Sequence, residues 1–234
     1  MDLLSRGTDE KERLFMKKLA FAGAAVALAV SLGTAKASTI AFDTMGPSGI
    51  FDPYAGWNIG GGANGSLDFN NLPAAQFTSL ASGTVSELSA AIWRLDDAAT
   101  PIYFQLRADS AGLPGSVLGQ ALVSASNERE VQKVSFQGIG VALSAGTNYW
   151  FSIEAIEPAT EAAWMFNTFG VNAPLAILHS PLTPPGSDTW HLSSSATAPA
   201  FRVDVALVPE PTTVLLLMMG LSIISIRLSR PSGT

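Results

Sequence analysis

The sequence predicts an all-β fold: a single jelly-roll-like β-sandwich flanked by an N-terminal signal peptide and a C-terminal transmembrane helix. Three observations lead there. Between residues 38 and 207 the apolar side chains recur with a period of two, in short runs bounded by Gly, Pro, Asn, Asp and Ser. No stretch of that body combines helix caps with an apolar stripe. At each end lies a long uncharged apolar run that has no polar face to offer water.

The candidate strands follow in order. Residues 38–42, 56–59 and 75–78 are the first. Residues 85–93 are small and apolar around one charge, Glu87. Residues 103–107 alternate, and 117–123 read as a strand. Residues 131–136 place Val134 and Phe136 on one face. Residues 149–154 are aromatic and β-branched, 163–166 form a later candidate, and 201–207 alternate with Arg202 and Asp204 toward solvent. The expected core is Phe77, Leu88, Ile92, Leu106, Val134, Phe136, Trp150, Ile153, Val203 and Val205. Residues 109–115 read as a turn in which Asp109 bonds the backbone two residues on, while Gly112 and Gly115 supply positive φ. Residues 144–148 form another turn. Residues 60–65 are too rich in glycine for a strand and read as a surface loop.

Composition excludes several chemistries. The chain has 234 residues and no cysteine. A disulfide framework, a cysteine-ligated zinc, a thiol nucleophile and a cysteine-linked lipid are therefore out. The net charge of −6 argues against nucleic acid, whose binders neutralise phosphates with Lys and Arg. Residues 38–207 alone carry fourteen acidic and five basic side chains, a net −9.

The two ends read as addresses. Lys17 and Lys18 precede an uncharged apolar run over residues 19–32. Ala35 and Ala37 stand at the small-residue positions of a cleavage site, with Ser38 as the new N-terminus. Residues 16–37 thus form the signal peptide. Residues 1–15, with seven charges, read as an extension ahead of a start at Met16. At the other end, Val208, Pro209, Glu210 and Pro211 make a stiff extended break. Residues 212–226 follow without a charge, and Arg227 and Arg230 close the segment. As a helix that run would span about 22 Å, short of a ~30 Å hydrocarbon core unless Arg227 snorkels or the bilayer thins. Basic residues after the span would hold that end in the cytoplasm.

This C-terminal arrangement, residues 208–234, resembles the PEP-CTERM sorting signal of Gram-negative bacteria. The resemblance implies export by the Sec translocon, transient tethering in the inner membrane, and processing near Pro-Glu-Pro by an exosortase, a membrane cysteine peptidase. It also implies a surface or extracellular destination, often beside exopolysaccharide. The body, through "DSAGLPGSVL" at residues 109–118 and "VALSAGTNYWFSIEA" at 141–155, resembles the choice-of-anchor R domain. That resemblance implies a small extracellular β-sandwich and brings no catalytic residues.

Nothing else in the sequence assembles a catalytic or cofactor site, and none is expected. The glycine run lacks the Walker lysine. His179 and His191 sit in no H-E-x-x-H, and there is no G-x-S-x-G. Asp96 with Asp97, and Asp43 with Asp52, lack the alternating spacing of a calcium loop and read as solvated turns. Glu154, Glu157 and Glu161 lie on one short segment, which does not define the opposed carboxylates of a glycosidase. Of the five tryptophans, Trp93 and Trp150 are expected in the core. Trp164 and Trp190 flank a proline-rich stretch, residues 174–185, read as a long loop. They either pack beneath it or form a rim on which sugar rings stack. The expected roles are a surface or matrix protein, a carbohydrate-binding module, or, last, a secreted hydrolase.

Overall fold

Alternating side chains on thirteen strands among the described residues produce this architecture. The computed structural model describes residues 38–60, 69–95, 101–157, 160–181 and 189–207. The strands are β1 (Ser38–Asp43), β2 (Gly56–Gly60), β3 (Phe69–Thr78), β4 (Gly83–Arg94), β5 (Ile102–Ser110), β6 (Leu113–Val123), β7 (Glu130–Ser135), β8 (Ala142–Leu143), β9 (Asn148–Ala155), β10 (Glu161–Met165), β11 (Asn172–Pro181), β12 (Trp190–Thr197) and β13 (Phe201–Ala206). Every pairing among them is antiparallel. Among the described residues no helix is long and apolar enough to cross a membrane. The expected signal peptide and the span at 212–226 lie outside these residues.

The strands join in the order β1-β13-β4-β10-β2-β3-β9-β5-β6. Strand β11 adds to β3 and β12 to β11, while β7 and β8 add to β4. The first and last strands are neighbours, with Ser38 opposite Ala206. Strand β4 is central, flanked along its length by β13, β10, β7 and β8. Its residues Leu88 to Ile92 are buried on both faces, so small side chains (Ser89, Ala90, Ala91) are what fit there.

The sheet folds back over one core. Phe151 on β9 and Phe201 on β13 are far apart in the strand order, yet their rings lie 5.4 Å apart. Phe201 also meets Phe42 at 4.9 Å, Trp164 at 5.5 Å and Phe77 at 5.9 Å. Burying each such side chain stabilises the fold by about 1.5–3 kcal/mol, and the tilted and edge-on ring contacts add to that. Nine of the ten expected core residues are buried. The exception is Val134, half-buried because β7 lies at an edge.

Other expectations need correction. Residues 174–181 belong to a strand, not a loop. Pro174 falls at the register shift between Ala173 and Leu175, where a missing N–H breaks no regular ladder bond. Asp204 is buried rather than solvated, because Arg202 two residues back donates Nε to its Oδ2 at 2.9 Å and Nη2 to its Oδ1 at 3.0 Å. That pairing raises the Arg202 pKa further. The β5–β6 hairpin turns on Ala111 (φ 53°) and Gly112 (φ 80°), the geometry of a type I′ turn; Gly115 lies inside β6. Gly60 ends β2 instead of opening a loop. Its φ is 70°, and a Cβ there would sit 2.0 Å from the Thr160 carbonyl oxygen. The rest of that glycine run lies outside the described residues.

Candidate functional site

Alternation on β3, β5 and β9 sends one set of side chains to the core and the other to a second face. Phe104 and Leu106, Phe151 and Ile153, and Ala75 and Phe77 fill the core. Their neighbours Gln105, Arg107 and Asp109, Trp150, Ser152 and Glu154, and Ala74 and Gln76 occupy the second face. Strand register then sets them in rows. Gln76 stands beside Trp150 and Trp150 beside Arg107; Ala74 stands beside Ser152 and Ser152 beside Gln105.

Side chains along these rows bond to one another. Arg107 donates Nε to Ser152 Oγ at 2.9 Å, Nη2 to Gln105 Oε1 at 2.6 Å and Nη1 to the Gly115 carbonyl at 3.2 Å. Gln105 donates Nε2 to Gln120 Oε1 at 3.2 Å and to the Glu154 carboxylate. Burial pulls the Arg107 pKa down, and Glu154 acts against that; a guanidinium stays charged regardless. Asp109 accepts from Trp150 Nε1 at 2.7 Å, from Gln76 Nε2 at 2.8 Å and from the Gly112 N–H at 3.1 Å. Burial alone would raise its pKa, but those three donors outweigh it and hold the carboxyl below its usual range.

Trp190 closes this face from above. It opens β12, four strands away from β5 in the sheet order, yet Arg107 lies 5.4 Å from its ring centroid. The β11–β12 hairpin therefore arches over the face, and Trp190 packs on a small cluster of Ala74, Trp150 and Ala176. The face thus offers one partly exposed indole, Trp190, beside fixed polar groups, while Trp150 beneath it has no exposed surface. Among the described residues no three His, Asp or Glu side chains converge as a metal set.

The expected site residues fare differently. Trp164 is a correction: it has no exposed surface, packs 5.1 Å from Phe151, and donates Nε1 to the Ala200 carbonyl at 3.2 Å. A ring with no free face cannot stack on a sugar. Trp190 is half-buried and belongs to the second face. Trp150 is buried, but in the small cluster under Trp190 and not in the main core. Trp93 is also outside the main core. It is half-buried on the opposite surface, with the Arg129 guanidinium 3.8 Å above its ring and Tyr54 5.8 Å from the same cation. Asp43 accepts from the Met45 and Gly46 N–H groups, and Asp52 from Tyr54 N–H, so both carboxylates close local turns. Ser38 opens β1 and is exposed. Ala35, Ala37, Val208, Pro209, Glu210, Pro211, Arg227 and Arg230 lie outside the described residues, as do Asp96 and Asp97.

Sequence reasoning missed the Arg107 network. Gln105, Arg107, Trp150 and Ser152 all occupy the alternate positions of recognised strands, which was the available signal. Their pairing depends on cross-strand register between segments 45 residues apart.

Compared with known proteins, the chain matches no family model and no curated protein.

Proposed function

We propose that the chain is an exported cell-surface or extracellular-matrix protein without catalytic activity. In this reading residues 16–37 direct Sec export, the body is a jelly-roll-like β-sandwich of choice-of-anchor type, and residues 208–234 form a PEP-CTERM sorting signal that an exosortase of a Gram-negative bacterium processes. One observation carries it. Among the described residues, Ser38 of β1 pairs with Ala206 of β13, so the two ends of the body lie side by side next to both proposed cut points. Neither cut would remove a ladder bond of the described residues, and a proline such as Pro209 has no N–H to give to a sheet. The sandwich reading is supported by the contact between Phe151 and Phe201 across the core.

Mass spectrometry of surface-associated protein tests this. The mature form is expected to start at Ser38 and end near Pro209 to Pro211. Replacing Pro209, Glu210 and Pro211 with alanine should leave uncut protein in the inner membrane. A mature form ending at Thr234 would make the tail a plain anchor.

A second reading, carbohydrate binding within the exopolysaccharide, is favoured by Trp190 lying against Arg107 over the polar rows of β5 and β9. Aromatic faces beside fixed amide and guanidinium donors match the alternating apolar and hydroxyl surfaces of sugars. Affinity electrophoresis in neutral and acidic polysaccharide gels is the measurement. Trp190→Ala should abolish retardation while circular dichroism stays unchanged. Equal retardation of the variant would remove this site from consideration.

A further inference from the structure

We propose that β6 is a self-association edge, and that two copies of the domain pair β6 to β6, antiparallel, about a two-fold axis at Gln120. The inference is independent of how the chain is exported or processed. It begins with the backbone. Among the described residues, strand β6 pairs with β5 on one side and with no strand on the other. Among the described residues, no backbone hydrogen bond outside the β5–β6 ladder involves residues 116–123. An open row of N–H and C=O groups invites another strand.

Folded proteins usually protect such edges with charges, and β6 has none. Its eleven residues, LPGSVLGQALV, carry no ionisable side chain. By contrast, edge strand β7 holds Glu130 and Lys133, and β1 ends in Asp43. Among the described side chains of β12, Leu192 is the one exposed large aliphatic residue, at 50%, whereas β6 presents four: Leu113, Val117, Leu118 and Leu122 at 36%, 40%, 42% and 54%. In a body of net charge −9, two copies repel over most of their surface. An uncharged strip is where they can touch.

The side-chain order selects a second copy as the occupant. An isologous contact requires a strand complementary to its own reverse. With the axis at Gln120, Leu118 of each copy faces Leu122 of the other, and Gly119 faces Ala121. Ser116 faces Ser124, and Gln120 faces itself. Leu118, Gln120 and Leu122 share one face, so four leucines close around a central amide pair. Each Gln120 carboxamide has donors to give and a second acceptor lone pair beyond the one used by Gln105. Moving the axis one residue, to Gly119, would set Leu118 against Gln120 and Leu122 against Ser116, which pairs apolar with polar. Pro114 lacks the N–H to extend the ladder further.

The absence of cysteine makes the test direct. Full-length chain in mild detergent, carrying Gln120→Cys, should form a disulfide-linked dimer on gentle oxidation. An antiparallel pair sets facing Cα atoms about 4.5–5.5 Å apart, inside the range a disulfide spans. Ser116→Cys should not cross-link, since its mate lies eight residues along, roughly 27 Å away. In sedimentation, wild type should run at dimer mass, and Leu122→Lys should fall to monomer mass with its β-sheet spectrum intact. A wild-type monomer overturns the proposal, as does equal cross-linking at residues 116 and 120. A dimer that survives Leu122→Lys overturns it too, by placing the contact elsewhere.

Discussion

Trp164→Ala is expected to lower the stability of the domain by roughly 3–5 kcal/mol, the cost of emptying a tryptophan-sized site in a packed core. Trp164 has no exposed surface, and its ring meets Phe151 at 5.1 Å and Phe201 at 5.5 Å. Those two rings come from strands that the sheet order keeps apart, so the indole joins the two halves of the core. The substitution also removes the donor to the Ala200 carbonyl. For a domain whose total stability is on the order of 5–15 kcal/mol, this is a large fraction. Trp164→Phe should recover most of the loss by restoring ring volume without the N–H. Urea denaturation of the three proteins measures it; a midpoint for Trp164→Ala equal to that of wild type would mean the ring is not part of the core.

The second large effect is expected at Asp109. Asp109→Ala should cost roughly 2–4 kcal/mol, from a lost charge-assisted hydrogen bond and a buried Trp150 N–H left without its acceptor. Asp109→Asn should cost less, because its carbonyl oxygen still accepts from Trp150 while its NH₂ now opposes the other donors. The Asp109 carboxylate then predicts a pH dependence. The folded-state pKa of Asp109 is lowered, so its contribution is complete above the ordinary aspartate pKa of about 3.9 and fades as pH falls through the folded value. The stability gap between wild type and Asp109→Asn should be constant near neutrality and narrow below about pH 4. A gap that widens with acid would reverse the sign of the argument.

What could be read from the chain followed the range of the interactions. Period-two alternation places β5, β9 and β13 correctly because each strand's burial is decided within its own few residues, as Phe151 and Ile153 against Trp150 and Ser152 illustrate. Asp109 was readable as a turn residue for the same reason, although the backbone N–H it accepts from is that of Gly112, three positions on rather than the expected two. Its partners Gln76 and Trp150 were not, since they come from strands 33 and 41 residues distant. Pro174 and Pro181 hid β11, because local propensity counts the missing N–H but not the bulge that accommodates it. With β11 taken as a loop, Trp164 and Trp190 looked alike. One is in the central core and the other arches over a second face. Strand β8, two residues long, has too few positions to show a period at all.

The placement of β13 between β1 and β4 sets the order in which the domain can mature. Of the described strands, a chain that emerges from its N-terminus presents β1 first and its ladder neighbour β13 last. Until Ala206 has emerged, β1 lacks the one partner it has among the described strands and β4 from Thr84 to Ala90 is open on one side, while Phe42, Phe77 and Trp164 await the ring of Phe201 that packs among them. Closing such long loops is slow and unrewarded until the end. The β5–β6, β3–β9 and β4–β7 ladders need nothing beyond residue 155, but the aromatic core they leave open closes only with the C-terminal strand.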